Sequence, residues 1–252
     1  MVSRAEEVFL FNKPKKDFEI SSHISLVNNY VFVQVSKAAS SSVKWALQSL
    51  EFAKTPWQVI DVNNKFYSPH ISPYQVPTQD LDRIFYSKSC KRTTFVRNPF
   101  TRLLSCYLHR VVAKPRSATN AAVKRLTGGR GGEDVSFDEF VELICSQDAI
   151  DQEAHWRCQV EDLCVTDIQY DFVGKLENIN NDLADLIKVL YGEIGLEWYL
   201  KSTKADASPM KTGSSSLLLE YFVDKGTIKR VIDRYLGDFE EFGYSTDIQK
   251  VL

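Results

Sequence analysis

Hydrophobic and polar positions along this chain fall into two alternating rhythms. Tyr30–Val35, YVFVQV, is an almost unbroken run of β-forming side chains, the pattern of a strand buried on both faces. The period then changes. Trp45, Leu47 and Leu50 follow a small polar stretch, and a helix is expected to start among Ser40, Ser41 and Ser42, all natural N-cap residues. The plan repeats in RTTFVRNPFTRLLSCYLHRVV: TTFV is the strand, Asn98 an N-cap and Pro99 a first helical residue. Phe100, Leu103, Leu104, Tyr107, Leu108 and Val111 then form one helical stripe.

Further on, SFDEFVELIC opens with the Ser-x-x-Glu pattern of a capping box and reads as a helix. YDFVGKLENINNDLADLIKVLY reads as strand, turn and amphipathic helix, and a last helix ends near RVIDRYLGDFEEFGY. The polar, glycine-rich AKPRSATNAAVKRLTGGRGGED is expected to be a mobile surface loop. Strands alternating with helices predict an α/β fold: a central, mainly parallel sheet flanked by helices, in a single domain over 1–252 with its core at about 30–244.

Composition narrows the functions. The chain has 252 residues and a formal charge of −2, so no global basic field argues for nucleic acid or a membrane as partner. No apolar run is long enough for a signal peptide or a membrane span, and a soluble cytoplasmic protein is the expectation. Cys90, Cys106, Cys145, Cys158 and Cys164 are scattered and include no Cys-x-x-Cys pair, which points to reduced thiols and no structural metal.

Two turns carry the candidate chemistry, and both sit where a parallel sheet holds ligands, at the carboxyl ends of strands. In VSKAASSSVKW, helix-start amides, the hydroxyls of Ser40, Ser41 and Ser42, and the Lys37 ammonium all suit an anion. Lys37 precedes the hydroxyls and the turn has no glycine, so this is phosphate-loop physics without the Walker sequence or its magnesium logic. A serine-rich N-cap with an exposed lysine is the plain alternative. In FVRNPFTRLLS, Arg97 follows the strand and Ser105 lies nearly two helical turns on; a guanidinium and a hydroxyl there can hold one phosphate. Arg102 either assists or faces water.

Together the two turns resemble a known pattern. The chain resembles the Golgi carbohydrate sulfotransferases, the family that includes chondroitin and HNK-1 sulfotransferases. VSKAASSSVKW is similar to that family's Pro-Lys-x-Gly-x-Thr/Ser-x-x-Lys motif, and FVRNPFTRLLSCY to Phe-Val-Arg-Asp-Pro-Phe-x-Arg-Leu-x-Ser-x-Tyr. HWRCQVEDLC, YDFVGKLENI and YLGDFEEFGY resemble later family segments in the same order. Ser36, Ala39, Asn98 and Cys158 depart from the family's proline, glycine, aspartate and proline.

The resemblance implies a P-loop-like nucleotide-binding sulfotransferase fold and the donor 3′-phosphoadenosine-5′-phosphosulfate (PAPS), leaving 3′-phosphoadenosine-5′-phosphate (PAP). Lys37, Ala39, Ser40, Ser41 and Ser42 would hold its 5′-phosphosulfate, and Arg97 and Ser105 its 3′-phosphate. The reaction expected is in-line transfer, without metal, to a hydroxyl or an amine of a small natural product or a carbohydrate, the first ahead of the second because no anchor is seen. Lys37 is the expected catalytic cation, with Lys44 read as a surface residue. His70, in the proline- and aromatic-rich FYSPHISPY, is the expected base, with His155 second; His109 reads as packing. Lys204 and Lys211 are candidates to reach the 3′-phosphate, and Trp45, Trp57, Tyr67 and Tyr74 either line a pocket or pack in the core. A nucleotide kinase and a catalytically inactive nucleotide-binding protein are the alternatives.

Overall fold

The structure, a computed structural model, describes residues 2–202 and 216–251. In chain order the elements are α1 (Arg4–Asn12), α2 (Lys15–Ser21), β1 (Ser22–Ser25), β2 (Tyr30–Val33), α3 (Ser40–Glu51), α4 (Thr78–Tyr86) and β3 (Lys91–Val96). Then come α5 (Pro99–Cys106), α6 (Ala118–Leu126), α7 (Phe137–Cys145), α8 (Gln159–Leu163), β4 (Phe172–Lys175) and α9 (Ile179–Ser202). The last helices are α10 (Leu218–Tyr221), α11 (Lys225–Arg234) and α12 (Leu236–Glu241). The chain packs as two compact units, whose described residues are 2–96 with 163–202, and 97–162 with 216–251.

The first unit is α/β and holds the sheet, in the order β1-β2-β3-β4. The inner pairs are parallel, with Val33 opposite Thr94 and Val96 opposite Lys175, while β1 runs antiparallel to β2. The sheet is therefore mostly parallel, as the alternation of strands and helices predicts. Periodicity does not pick out β1, α1 or α2, because elements this short give too little pattern to register. Every residue of β2 is buried. Tyr30, Phe32 and Phe95 pack with Val43, Ala46, Leu47 and Leu50 of α3 and Leu183, Leu186 and Ile187 of α9. Each large side chain so buried contributes about 1.5–3 kcal/mol. Phe9, Phe18 and Phe85, from α1, α2 and α4, form a separate aromatic cluster with ring centroids 4.5–5.9 Å apart.

The loop after α3 is pinned back onto the sheet. Ile24 of β1 and Ile71 exchange two backbone hydrogen bonds of 3.0 Å, an antiparallel bridge that sets His70 beside His23. Their ring centroids lie 6.1 Å apart.

In the second unit Asn98 caps α5 as expected, its side chain accepting from the Phe100 N–H at 3.0 Å, with Pro99 the first helical residue. The helical stripe continues past α5 into a wider π-helical turn over Tyr107–Val112, which carries a half-buried His109. Ser136 caps α7 by accepting from the Glu139 N–H, whereas the Glu139 carboxylate pairs with Arg130, so the capping box is only half formed. The expected mobile loop needs correction. Its middle is α6, capped by Ser117, and it buries Thr119, Asn120, Ala122 and Val123. Its glycines mark the end of that helix: Gly128, Gly129 and Gly132 all take positive φ. The unit's core gathers Phe100, Leu104, Tyr107, Phe140, Trp156, Tyr235 and Phe239. All five cysteines are free thiols.

Candidate functional site

The chain from Ser36 to Ala39 is a turn, and α3 starts at Ser40. Two of the four turn residues are left-handed without being glycine: Lys37 has φ 70° and Ala39 φ 60°. A left-handed L-residue costs roughly 1–2 kcal/mol, and strain of this kind collects at ligand clamps. The serine-cap expectation is corrected here. Ala39 is the N-cap, no side chain caps it, and the three serines fill the first turn. The Ala39 carbonyl accepts from the Val43 N–H at 3.1 Å. The N–H groups of Ser40, Ser41 and Ser42 meet no acceptor among the described residues, as helix geometry leaves them. Left-handed residues flanking a helix start turn successive amides into a concave anion nest. Ala39 stands where the related motif has glycine, and it holds a left-handed φ at a cost.

Lys44, one turn beyond Ser40 on the same helix face, is not a surface residue. It is 4 % exposed, donates to Asn63 Oδ1 at 2.9 Å, and its pKa is pushed down to about 8 by burial, against the pull of Asp61. Lys65 is half-buried, donates to the Ser22 carbonyl at 2.8 Å and approaches His23 Nδ1 at 3.3 Å. Burial first, then the charge of Lys44, lowers its pKa to about 7.

His70 lies in this unit as well, 3 % exposed. Burial, which outweighs the raising effect of Glu51, lowers its pKa to about 4, and Lys65 and Lys44 push the same way. Its Nε2 is 2.7 Å from the Tyr30 hydroxyl, which is itself 2.9 Å from Glu51 Oε1. Tyr191 donates to the same carboxylate oxygen at 2.8 Å. A carboxylate is the strongest acceptor present, so Tyr30 donates to Glu51 and accepts from His70 Nε2–H. That tautomer leaves the lone pair on Nδ1, a buried atom with no hydrogen-bond partner.

In the second unit, Arg97 and Ser105 are 6 % and 1 % exposed, so Arg97 is not a surface ion-pairing residue. Arg97 Nε donates to Thr101 Oγ1 at 3.0 Å. Its backbone is gripped at both ends by one side chain: the N–H donates to Gln159 Oε1 at 2.9 Å, and Gln159 Nε2 donates to its carbonyl at 2.8 Å. Gln159 is fixed in turn by buried Asp238, which accepts from Gln159 N–H and Nε2 and from the Val160 N–H at 2.9–3.1 Å. Arg102 does not face water; it is buried and donates to the carbonyls of Arg157 and Ala154. His155 Nδ1 lies 2.8 Å from Glu153. Burial would raise the Glu153 carboxyl, but the hydrogen bonds and charge of His155 hold it below its ordinary range.

The structure thus brings Lys37, Ala39, Ser40, Ser41 and Ser42 into one turn, and Arg97 and Ser105 into one strand-to-helix junction. Trp57, Tyr67 and Tyr74 are exposed, not core; Trp45 is half-buried against the first unit's core. Lys204 and Lys211 lie outside the described residues. The sequence does not single out Gln159, Asp238, Glu51 or Tyr30 for a role. The first two stand in HWRCQVEDLC and YLGDFEEFGY, segments visible as motifs; Lys65 leaves no signal.

A mostly parallel sheet with helices packed on it defines an α/β protein. Residues 23–245 match the Sulfotransferase family, and the chain belongs to that family. It is 26% identical over 234 residues to human carbohydrate sulfotransferase 9, covering 86% of this chain and 51% of that protein. It is 28% identical over 233 residues to mouse carbohydrate sulfotransferase 8, covering 85% and 54%. Zebrafish carbohydrate sulfotransferase 14 aligns over 169 residues at 27% identity, covering 60% and 42%. The chain thus spans about half the length of the curated relatives it matches. No solved structure matches it. No helix among the described residues is long and apolar enough to cross a membrane.

Two predictions test this geometry. Ala39→Gly removes a left-handed penalty of about 1–2 kcal/mol and adds a glycine entropy cost of about 0.5–1 kcal/mol. Denaturant titration should find the variant more stable by about 0.5–1 kcal/mol; a destabilised variant would mean that the turn is not strained. Gln159→Ala leaves both backbone groups of Arg97 buried without partners, at about 1–3 kcal/mol each. The same titration should register a loss of at least about 2 kcal/mol.

Proposed function

We propose that this chain, as a single sulfotransferase domain over 1–252, transfers the sulfuryl group of PAPS to a hydroxyl of a carbohydrate, in place of the small natural product favoured by sequence. The names of its relatives support the carbohydrate acceptor. One observation carries the donor assignment: the unshared amides of Ser40, Ser41 and Ser42 above a turn held left-handed at Lys37 and Ala39. That is a cradle for a tetrahedral anion, and its strain is what a ligand clamp stores. The 5′-phosphosulfate is assigned to this turn and the 3′-phosphate to Arg97 and Ser105.

Sulfuryl transfer asks little covalent work of a protein; position and charge do most of it. As the S–O bond to the leaving phosphate breaks, negative charge gathers on the bridging oxygen. Lys37 is assigned to that oxygen, and its loss, by analogy with other oxyanion donors, costs about 3–4 kcal/mol of transition-state stabilisation. The acceptor hydroxyl attacks sulfur from the opposite side and passes its proton to His70 Nδ1. Tyr30 and Glu51 hold the tautomer that makes Nδ1 the basic nitrogen. Because burial keeps that imidazole neutral, it is ready to accept a proton at any pH well above 4.

Thermal unfolding tests the donor. PAP at about 100 times its dissociation constant should add roughly 2.7 kcal/mol, a rise of about 5–10 °C for a chain of this size. Arg97→Ala should abolish the rise; a larger rise with ATP and magnesium would replace the sulfotransferase reading with a kinase.

His70 gives a second test, with a definite sign. Its pKa is about 4 folded against an ordinary 6.5, so the unfolded chain binds more protons between these values. The stability this group confers is complete above pH 6.5 and is lost as the pH falls toward 4. About 2 kcal/mol should disappear between pH 7 and pH 5, and His70→Asn should flatten that part of the profile. In kinetics, the acid limb of kcat/KM should bend near pH 4; activity that survives His70→Asn with its pH profile unchanged would move the base to His155.

A further inference from the structure

Charge in the second unit is sorted into two blocks. Residues 107–130 hold six lysines and arginines and no acid, while residues 131–156 hold eight acids and no lysine or arginine. On the basic side, Lys114, Arg116, Lys124 and Arg125 are exposed on α6 and the turn before it, and none makes an ion pair among the described residues. On the acidic side, Glu133, Asp134, Glu142, Asp148 and Asp151 are exposed and equally without an ion pair. α11 packs on α7, but its cations turn elsewhere: Lys229 pairs with Asp233 and Arg234 with Glu161. The proposed transfer step uses none of these exposed charges.

The two blocks adjoin. The Gly132 N–H donates to Asn120 Oδ1 at 3.1 Å, which ties the start of the acidic segment to α6. Thr119 of the same helix lies 3.3 Å from His155 Nδ1 and 3.4 Å from Glu153 Oε1, which ties its end there too. Between these points Arg130 pairs with Glu139 and donates to the Asp134 carbonyl at 3.2 Å, so the boundary itself is an ion pair. Each block also shows an exposed apolar side chain beside its charges: Leu126 follows Lys124 and Arg125, and Ile150 stands between Asp148 and Asp151. A surface shaped only for solubility intersperses the two signs. Sorting them builds repulsion into each block, and a partner of opposite sign relieves it.

We propose that this surface of the second unit is the contact face of a two-fold homodimer, in which Lys124 and Arg125 of each copy meet Asp148 and Asp151 of the other. The partner has to carry both signs side by side. An anionic membrane or a polyanionic saccharide would suit the basic block and press negative charge onto the acidic one, and a basic protein would do the reverse. A second copy has the complementary pattern by construction. A half-turn about an axis standing on the Arg130–Glu139 boundary sets each basic block against the other copy's acidic block, the self-matching contact of a two-fold dimer. Leu126 and Ile150 then supply a small apolar centre within a charged rim. Exposed ion pairs are individually weak and are screened by salt, so the dimer depends on concentration and ionic strength. The inference is independent of the donor and acceptor assignments.

Sedimentation velocity of the full chain reads this out. At about 50 mM salt the wild type is expected to dimerise, and raising the salt to about 500 mM should weaken the association at least about tenfold. Lys124→Glu with Arg125→Glu, and separately Asp148→Lys with Asp151→Lys, should each leave a folded monomer, because like charges then face each other. Mixed one to one, the two variants should recover the dimer, since each reversed block meets the other variant's reversed block. A wild type that stays monomeric at low salt up to about 0.1 mM overturns the proposal without calling on any variant. So does a dimer indifferent to salt, a dimer that survives either reversal, or a mixture of folded variants that fails to associate. Cosedimentation of a monomeric wild type with phosphatidylserine vesicles, lost in the Lys124→Glu, Arg125→Glu variant, would give the basic block to a membrane and sink the dimer.

Discussion

The Ser36–Ala39 turn depends on a strand that has no freedom to move. β2 is buried along its whole length and paired on both edges, so the chain leaves it at a fixed point and in a fixed direction. α3 must then start within a few residues, because Val43, Ala46, Leu47 and Leu50 are committed to the same core as Tyr30 and Phe32. A left-handed bend is how the backbone meets both demands. The bend leaves the Ser40, Ser41 and Ser42 amides without an acceptor among the described residues. Core packing thereby sets the bend, and the strain at Lys37 and Ala39 is borne by the hydrophobic burial on either side of it.

The two units handle positive charge differently. In the second, buried arginines are held by protein groups: Arg157 pairs with Asp162 at 3.2 Å, and Arg102 is committed to backbone carbonyls. These side chains serve architecture. In the first, Lys44 is buried and Lys65 half-buried, neither with a carboxylate partner among the described residues, and burial lowers the pKa of both. A chain with nearly equal numbers of acids and bases had the means to pair them.

Much of this is legible in the sequence, for identifiable reasons. β2 and β3 are dense runs of β-formers, and Asn98-Pro99 is a helix start with a mechanism, so local pattern alone places both junctions. Readings that rest on composition fare worse. Serines before a helix suggest a cap, yet they form the first turn because Ala39 takes the left-handed position. Glycines and lysines around Ala118–Leu126 suggest a loop, yet four buried residues on one face make it a helix. The orientation of Lys44 depends on the position of the loop carrying Asn63, and that of Lys65 on the pairing of Ile71 with Ile24. Contacts between residues distant in sequence leave no local pattern to read.

Neither the strained turn nor the unpaired cluster is explained by stability, and both cost folding free energy. Relieving either needs only ordinary changes, a glycine at position 39 or an acid opposite Lys65. Part of that cluster shares a helix with the turn: Ser40, Lys44 and Gln48 lie along one face of α3. The row from Ser40 through Lys44 to Gln48 passes from amides and hydroxyls to ammonium groups and then to a lone carbonyl oxygen. His70 adds a further cost of the same kind, a buried Nδ1 without a partner on an imidazole that burial keeps neutral.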